Sequence, residues 1–240
     1  MAKLSNLQEA FVEALQDCLD PGSIRETGRR LKEAGLIRKG LRGRYGGTEM
    51  TSEDATSYMA ALLGGGDRRN VLEAARTAER TMALVFDQAL VLEGEPIKLK
   101  DDVFRFGLPR RHTFGELLRA IIDASSYTWD GSAPDRLKVT RHQLAIYPLL
   151  VPALEVSVHW PWPSADVKIW CGVKVYSLHY IYKDTESGKI DIYNVMENYE
   201  RLHKKFGSTR ENYRVTRTVT ADLFRAVGEC LKFDKVTRHG

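Results

Sequence analysis

SIRETGRRLKEAGLIRKGLRGRYGGTEMTSED, residues 23–54, is the stretch whose reading decides the rest of the chain. Ser23 and Glu26 stand three apart, the spacing of a capping box that satisfies backbone N–H groups at a helix start. Ile24, Gly28, Leu31 and Gly35 recur at helical spacing and mark an inward face, leaving Arg25, Arg29, Arg30 and Lys32 outward. Gly35 supplies the left-handed residue that stops a helix, and Leu36 and Ile37 then return apolar side chains to the core. Glycines at 40, 43, 46 and 47 permit a tight reversal in the segment that follows. Between Arg25 and Gly47 the bases are Arg25, Arg29, Arg30, Lys32, Arg38, Lys39, Arg42 and Arg44, against the carboxylates of Glu26 and Glu33. A basic helix running into a basic, glycine-rich hairpin suits duplex DNA: the helix fits the major groove and the loop follows the neighbouring phosphates.

The run RRLKEAGLIRKGLRGRYGGTEMTSED resembles the recognition helix and wing of winged helix-turn-helix regulators of the MarR kind. The shared pattern is a helix ending in Leu-x-x-x-Gly-Leu-Ile, a charged hairpin, and a short strand leading into the next helix, a place taken here by Met50-Thr51. One helix rather than two precedes the recognition helix, and the strand before the wing is short. The resemblance implies a DNA-binding domain over residues 1–66. It also implies a contact set of Arg25, Arg29, Arg30, Lys32, Arg38, Lys39, Arg42, Arg44 and Tyr45. Arg25, Arg29 and Arg30 would face base edges, and the remaining cations would mostly neutralise phosphate.

Outward from this stretch, residues 4–18 alternate apolar and polar side chains at helical spacing through Leu7, Phe11, Leu15 and Cys18. Asp20-Pro21-Gly22 is expected as a turn, and residues 52–63 as a third helix with Ala55, Met59, Leu62 and Leu63 inward. Gly64-Gly65-Gly66 marks a hinge, with a second, α+β domain over 67–240: an antiparallel sheet flanked by helices, serving dimerisation or partner binding. Its expected elements begin with a long helix over 70–92, suited to packing on its twin in a homodimer. A helix opened by the Thr113/Glu116 capping box follows. Strands are expected at 137–146, 153–160 and 167–182, the last with a bend or bulge. A hairpin over 184–195, a basic helix over 198–206, a strand over 212–219 and a closing helix through Leu223, Phe224, Val227 and Leu231 complete the chain.

The 240 residues are enough for two small domains or one large one. Cys18, Cys171 and Cys230 are far apart and lack Cys-x-x-Cys spacing, so neither a disulfide frame nor a zinc site is expected. There is no apolar signal core and no run of eighteen apolar residues, which points to the cytoplasm and to no membrane partner. Histidines at 112, 142, 159, 179, 203 and 239 show no metal-ligand spacing, and His159 and His179 read as partly buried strand residues. Pro134-Asp135 and, about thirty residues on, Asp166-Val167-Lys168 resemble the Pro-Asp…(Asp/Glu)-x-Lys pattern of a nuclease superfamily. There, carboxylates hold Mg²⁺ and the lysine positions the attacking water. Trp160, Trp162, Trp170, Tyr176, Tyr180 and Tyr182 suit either stacking on unpaired bases or a core.

The sequence therefore reads as a cytoplasmic, non-enzymatic, sequence-specific DNA-binding protein that regulates transcription. In general texture it resembles proteins of phages or phage-derived elements. Its expected partners are double-stranded DNA, a transcription-machinery or phage protein, and a second copy of itself, with no cofactor, no metal and no catalytic residue. The alternatives are a Mg²⁺-dependent DNA-processing enzyme and a structural or interaction component of a phage-like particle.

Overall fold

A computed structural model describes residues 3–38, 49–64, 72, 75–76, 81–83, 88–91, 108, 112–125, 154–160, 164–171, 174–182 and 215–232. Among the described residues there are five helices and six strands: α1 (Leu4–Leu15), α2 (Pro21–Glu33), α3 (Ser52–Gly64), β1 (Thr81–Ala83), β2 (Gln88–Val91), α4 (Phe114–Ser125), β3 (Leu154–Trp160), β4 (Ser164–Cys171), β5 (Lys174–Tyr182), β6 (Val215–Thr220) and α5 (Ala221–Lys232). The class is α+β, with an antiparallel sheet. Among the described residues, no helix is long and apolar enough to cross a membrane.

The strand order is β1-β5-β4-β3-β6, with β2 joining β1 along the same edge of β5. The alternation legible in residues 154–160 becomes two chemically distinct faces. Leu154, Val156 and Val158 of β3 are level with Ile169, Val167 and Ala165 of β4, and all six are buried. Val219 of β6 and Leu178 and Tyr180 of β5 extend that apolar face. On it lie α3, α4 and α5, through Met59, Leu63, Leu118, Ile122, Phe224 and Val227. The helices α1 and α2 form an outer layer, α1 packed on α5 and α2 held between α1 and α3. One continuous apolar cluster runs from Leu7 and Phe11 through these helices to the sheet.

Local signals account for several element boundaries. Thr113 and Glu116 form the expected reciprocal capping box of α4: Thr113 N–H donates to Glu116 Oε2 at 2.6 Å and Glu116 N–H to Thr113 Oγ1 at 3.0 Å. Pro161-Trp162-Pro163 separates β3 from β4, since proline cannot donate to the ladder. Gly35 has φ of +72°, and the bonds Gly35 N–H to Lys32 O and Leu36 N–H to Leu31 O close α2 in a Schellman motif.

Three expectations are corrected. The helix expected over 70–92 does not persist: Leu72, Ala75 and Arg76 are helical, but 81–83 and 88–91 are strands on the edge of β5. An open row of β5 hydrogen-bonding groups outweighed local helical spacing there. The expected bent strand over 167–182 is two strands, paired from Ser164↔Ile181 to Cys171↔Lys174 with two residues between their ends. The imperfect alternation was the mark of a reversal, for which Gly172 was the local signal. Finally, α2 begins at Pro21, so Asp20-Pro21-Gly22 opens the helix. Asp20 is its N-cap, Oδ2 accepting from Ser23 N–H at 2.7 Å, and Pro21 takes the first position, where a missing N–H costs nothing. The strands expected at 137–146 and 190–195 and the helix at 198–206 lie outside the described residues.

The three N-terminal helices meet at Tyr58. It is fully buried, donates to Ile24 O at 2.5 Å, and packs on the Phe11 ring at 4.8 Å between centroids. Gly28 leaves room for it: a Cβ there would stand 2.7 Å from Tyr58 Oη. Burial pushes the Tyr58 phenol up to about 12, outweighing the opposing pull of its hydrogen bonds and of Arg25. A phenol that ionises near 10 when unfolded and near 12 when folded contributes fully below pH 10. That contribution is lost as pH rises through 12. Denaturant titrations at pH 9 and pH 11.5 are expected to show an alkaline loss of roughly 2 kcal/mol in wild type. In Tyr58→Phe the loss should be much smaller, and equal losses in both would reject the assignment.

Candidate nucleic-acid interface

Of the nine residues expected to contact DNA, five are described: Arg25, Arg29, Arg30 and Lys32 on α2, and Arg38 just beyond it. Lys39, Arg42, Arg44 and Tyr45 lie outside the described residues. The inward face of α2 is Ile24, Thr27, Gly28 and Leu31, all buried against α1 and α3. Thr27 adds a bond from Oγ1 to Ser23 O at 2.9 Å. Because those four positions are fixed inward, helical periodicity turns Arg25, Arg29 and Lys32 out together at i, i+4 and i+7. All three are exposed, and Arg30 is half-buried beside them. From Arg25 to Lys32 the stripe covers about 10 Å of helix axis, within a major groove roughly 12 Å wide.

The stripe is not uniformly positive. Arg29 grips Glu26 with two bonds, Nε to Oε2 at 2.8 Å and Nη2 to Oε1 at 2.6 Å, and reaches Glu33 Oε1 through Nη1 at 2.5 Å. Arg30 Nε donates to the same Glu26 Oε1 at 2.8 Å. Hydrogen bonds from Arg29 and then Arg30 hold the Glu26 carboxyl down at about 2, far below the ordinary 4.5. The Glu26 bonds chiefly, and then Glu33, push Arg29 further up. Arg25 and Lys32 carry no ion pair among the described residues. The expectation that Ser23 and Glu26 form a capping box is corrected here: Glu26 is held by two arginines, and the cap is Asp20.

Arg38 is placed by α3. Asp54, in the first turn of α3 and buried, accepts from Arg38 N–H at 2.9 Å, Thr51 N–H at 2.9 Å and Thr51 Oγ1 at 3.0 Å. The Arg38 Nε stands 3.5 Å from its Oδ2, with half the side chain exposed. This carboxylate ties the chain leaving α2 to the start of α3. Nothing in the sequence beyond Thr51-x-x-Asp54, a helix-start pattern, pointed to that second duty.

Comparison with family models, with curated proteins and with solved structures finds no match.

The other polar concentration is the sheet face away from the helices. His159 is buried there, its Nε2 2.8 Å from Asp166 Oδ2 and its Nδ1 2.9 Å from Thr216 Oγ1. Ser157 Oγ and Thr218 Oγ1 are 2.8 Å apart, and Lys168 Nζ stands 3.5 Å from Glu155 Oε1. Asp166 and Lys168, the residues resembling a nuclease pattern, thus share one face of β4 but are engaged with different β3 partners. Pro134-Asp135 lies outside the described residues. Among the described residues, no three His, Cys, Asp or Glu side chains converge as metal ligands.

For Tyr180, of the two alternatives, the core holds. Tyr180 is buried on the helix side of the sheet, its hydroxyl 2.7 Å from His112 Nε2 and its ring 5.4 Å from Phe114, so it cannot meet a base. Trp162 and the side chains of Trp160, Trp170, Tyr176 and Tyr182 lie outside the described residues.

Proposed function

We propose that the protein is a sequence-specific DNA-binding regulator of transcription, serving phage or phage-derived genes in the cytoplasm. In this reading α2 is the recognition helix and residues 39–48 form the wing of a winged helix-turn-helix. The observation that supports it is the exposed Arg25–Arg29–Lys32 stripe on a helix whose opposite face is locked into a three-helix core. Arg38, next in sequence to the basic residues 39–44, is held beside Asp54 with half its side chain exposed. Arginine offers paired donors to guanine, and lysine and the loop cations offer charge to phosphate. A homodimer would double the contacts, which one winged unit needs for useful affinity.

Fluorescence anisotropy with labelled random duplex and with duplex enriched by selection tests the reading. Expected is binding to both at low salt, falling linearly in log affinity against log salt, with the enriched duplex tighter by 10³-fold or so. A flat titration on every duplex at low salt would reject it and favour a protein contact in a phage-like particle. The nuclease alternative draws on the shared face of Asp166 and Lys168. It requires a Mg²⁺-dependent cleavage product that disappears in Asp166→Ala.

A further inference from the structure

Resting on the DNA-binding reading, we infer that Glu26 is the specificity-determining residue of the basic face: it withholds Arg29 and Arg30 from phosphate so that simple electrostatic attraction engages them poorly. The geometry behind this is the double bond from Arg29, the single bond from Arg30 to the same carboxylate, and the closure of Arg29 on Glu33 one turn later. Both oxygens of Glu26 are occupied, and its carboxylate sits inside the stripe that would face the groove.

To reach a phosphate, Arg29 must exchange three short charge-assisted bonds for one or two of the same kind, with no gain in ion pairing. Non-specific binding, made through the phosphates, offers little else. A guanine edge offers O6 and N7 in the plane of the guanidinium, and a correctly seated helix adds contacts from Arg25 and Lys32 at the same time. The exchange is then worthwhile only on the right site, which is discrimination by raising the threshold for wrong partners. The carboxylate itself also repels phosphate wherever the helix is seated loosely.

The measurement is anisotropy on random and enriched duplexes across a salt series, comparing wild type, Glu26→Gln, Glu33→Gln and Glu13→Gln. Glu13 is an exposed residue of α1 and controls for loss of one negative charge. For Glu26→Gln the affinity for random duplex is expected to rise about 10-fold. Its salt slope should steepen by roughly 1 for each arginine that gains a phosphate. The enriched duplex should gain less, so the ratio between the two falls. Glu33→Gln, which releases one of the three Arg29 bonds, should move in the same direction by less. Equal effects of Glu26→Gln and Glu13→Gln on both duplexes, with the wild-type ratio kept, would overturn the inference while leaving DNA binding intact. Absence of binding by wild type and all three variants would overturn the DNA reading itself. Glu26 and Arg29 are partly exposed, so thermal melts of the variants should overlay wild type and separate these results from misfolding.

Discussion

Alanine at Arg25, Lys32 and Arg38 together is expected to weaken binding to the enriched duplex by about 10²–10³-fold near 0.1 M salt and to flatten the salt slope by about 1.8, the share of the phosphate contacts of Lys32 and Arg38. The magnitude follows from counterion release, in which each phosphate neutralised contributes somewhat under one decade of affinity at that salt. These three are chosen because Arg25 and Lys32 carry no ion pair among the described residues, and Arg38 has only the longer contact to Asp54. Folding should be little affected, since all three side chains are exposed and Asp54 keeps its bonds from Arg38 N–H and Thr51. Replacing Arg42 and Arg44 should weaken binding about equally for all sequences. Replacing Arg25 alone should instead relax preference at one base position, at a cost of roughly 1–3 kcal/mol. An unchanged slope in the triple variant would show that the stripe does not face DNA.

The second large effect concerns what presents the stripe. Tyr58→Ala is expected to cost about 3–5 kcal/mol, enough to threaten the fold of a domain of ordinary stability. Tyr58 is the largest fully buried side chain at the junction of α1, α2 and α3. Its removal empties the space against the Phe11 ring and Gly28 and withdraws the donor to Ile24 O. Urea titration followed by far-UV circular dichroism measures the loss. A cost below about 1 kcal/mol would mean that the three helices collapse around the gap, contrary to the close packing seen here. Should the variant remain folded, DNA affinity should fall with the ordering of α2, since a stripe on a frayed helix no longer holds its i, i+4, i+7 alignment.

Much of the local architecture was legible in single segments. Leu7, Phe11 and Leu15 mark the buried edge of α1, Thr113 and Glu116 the start of α4, and Leu223, Phe224 and Val227 the buried side of α5. Each signal is carried by residues within a turn or two of one another, where propensity and periodicity act. The largest error fell where partners are distant. Residues 81–83 and 88–91 carry helix-compatible spacing, and only the free edge of β5, about ninety residues away, makes them strands. The reversal between Cys171 and Lys174 was instead marked locally, by Gly172 and the broken alternation.

By itself the sequence determined the basic run of residues 25–44, the apolar face opposite it on α2, the stop at Gly35 and the polar–apolar alternation of β3. These follow from side-chain chemistry and backbone period, which need no knowledge of the rest of the chain. Tertiary structure alone decided which carboxylate holds the chain leaving α2: Asp54 of α3 accepts from Arg38 N–H. The pairing of Glu26 with Arg29 and Arg30 is local, within one turn of α2, while Asp20 holds the cap. Tertiary packing also joined α1 to α5 and α3 to α4, because each amphipathic helix had to cover its apolar side and the nearest uncovered surface lay far along the chain.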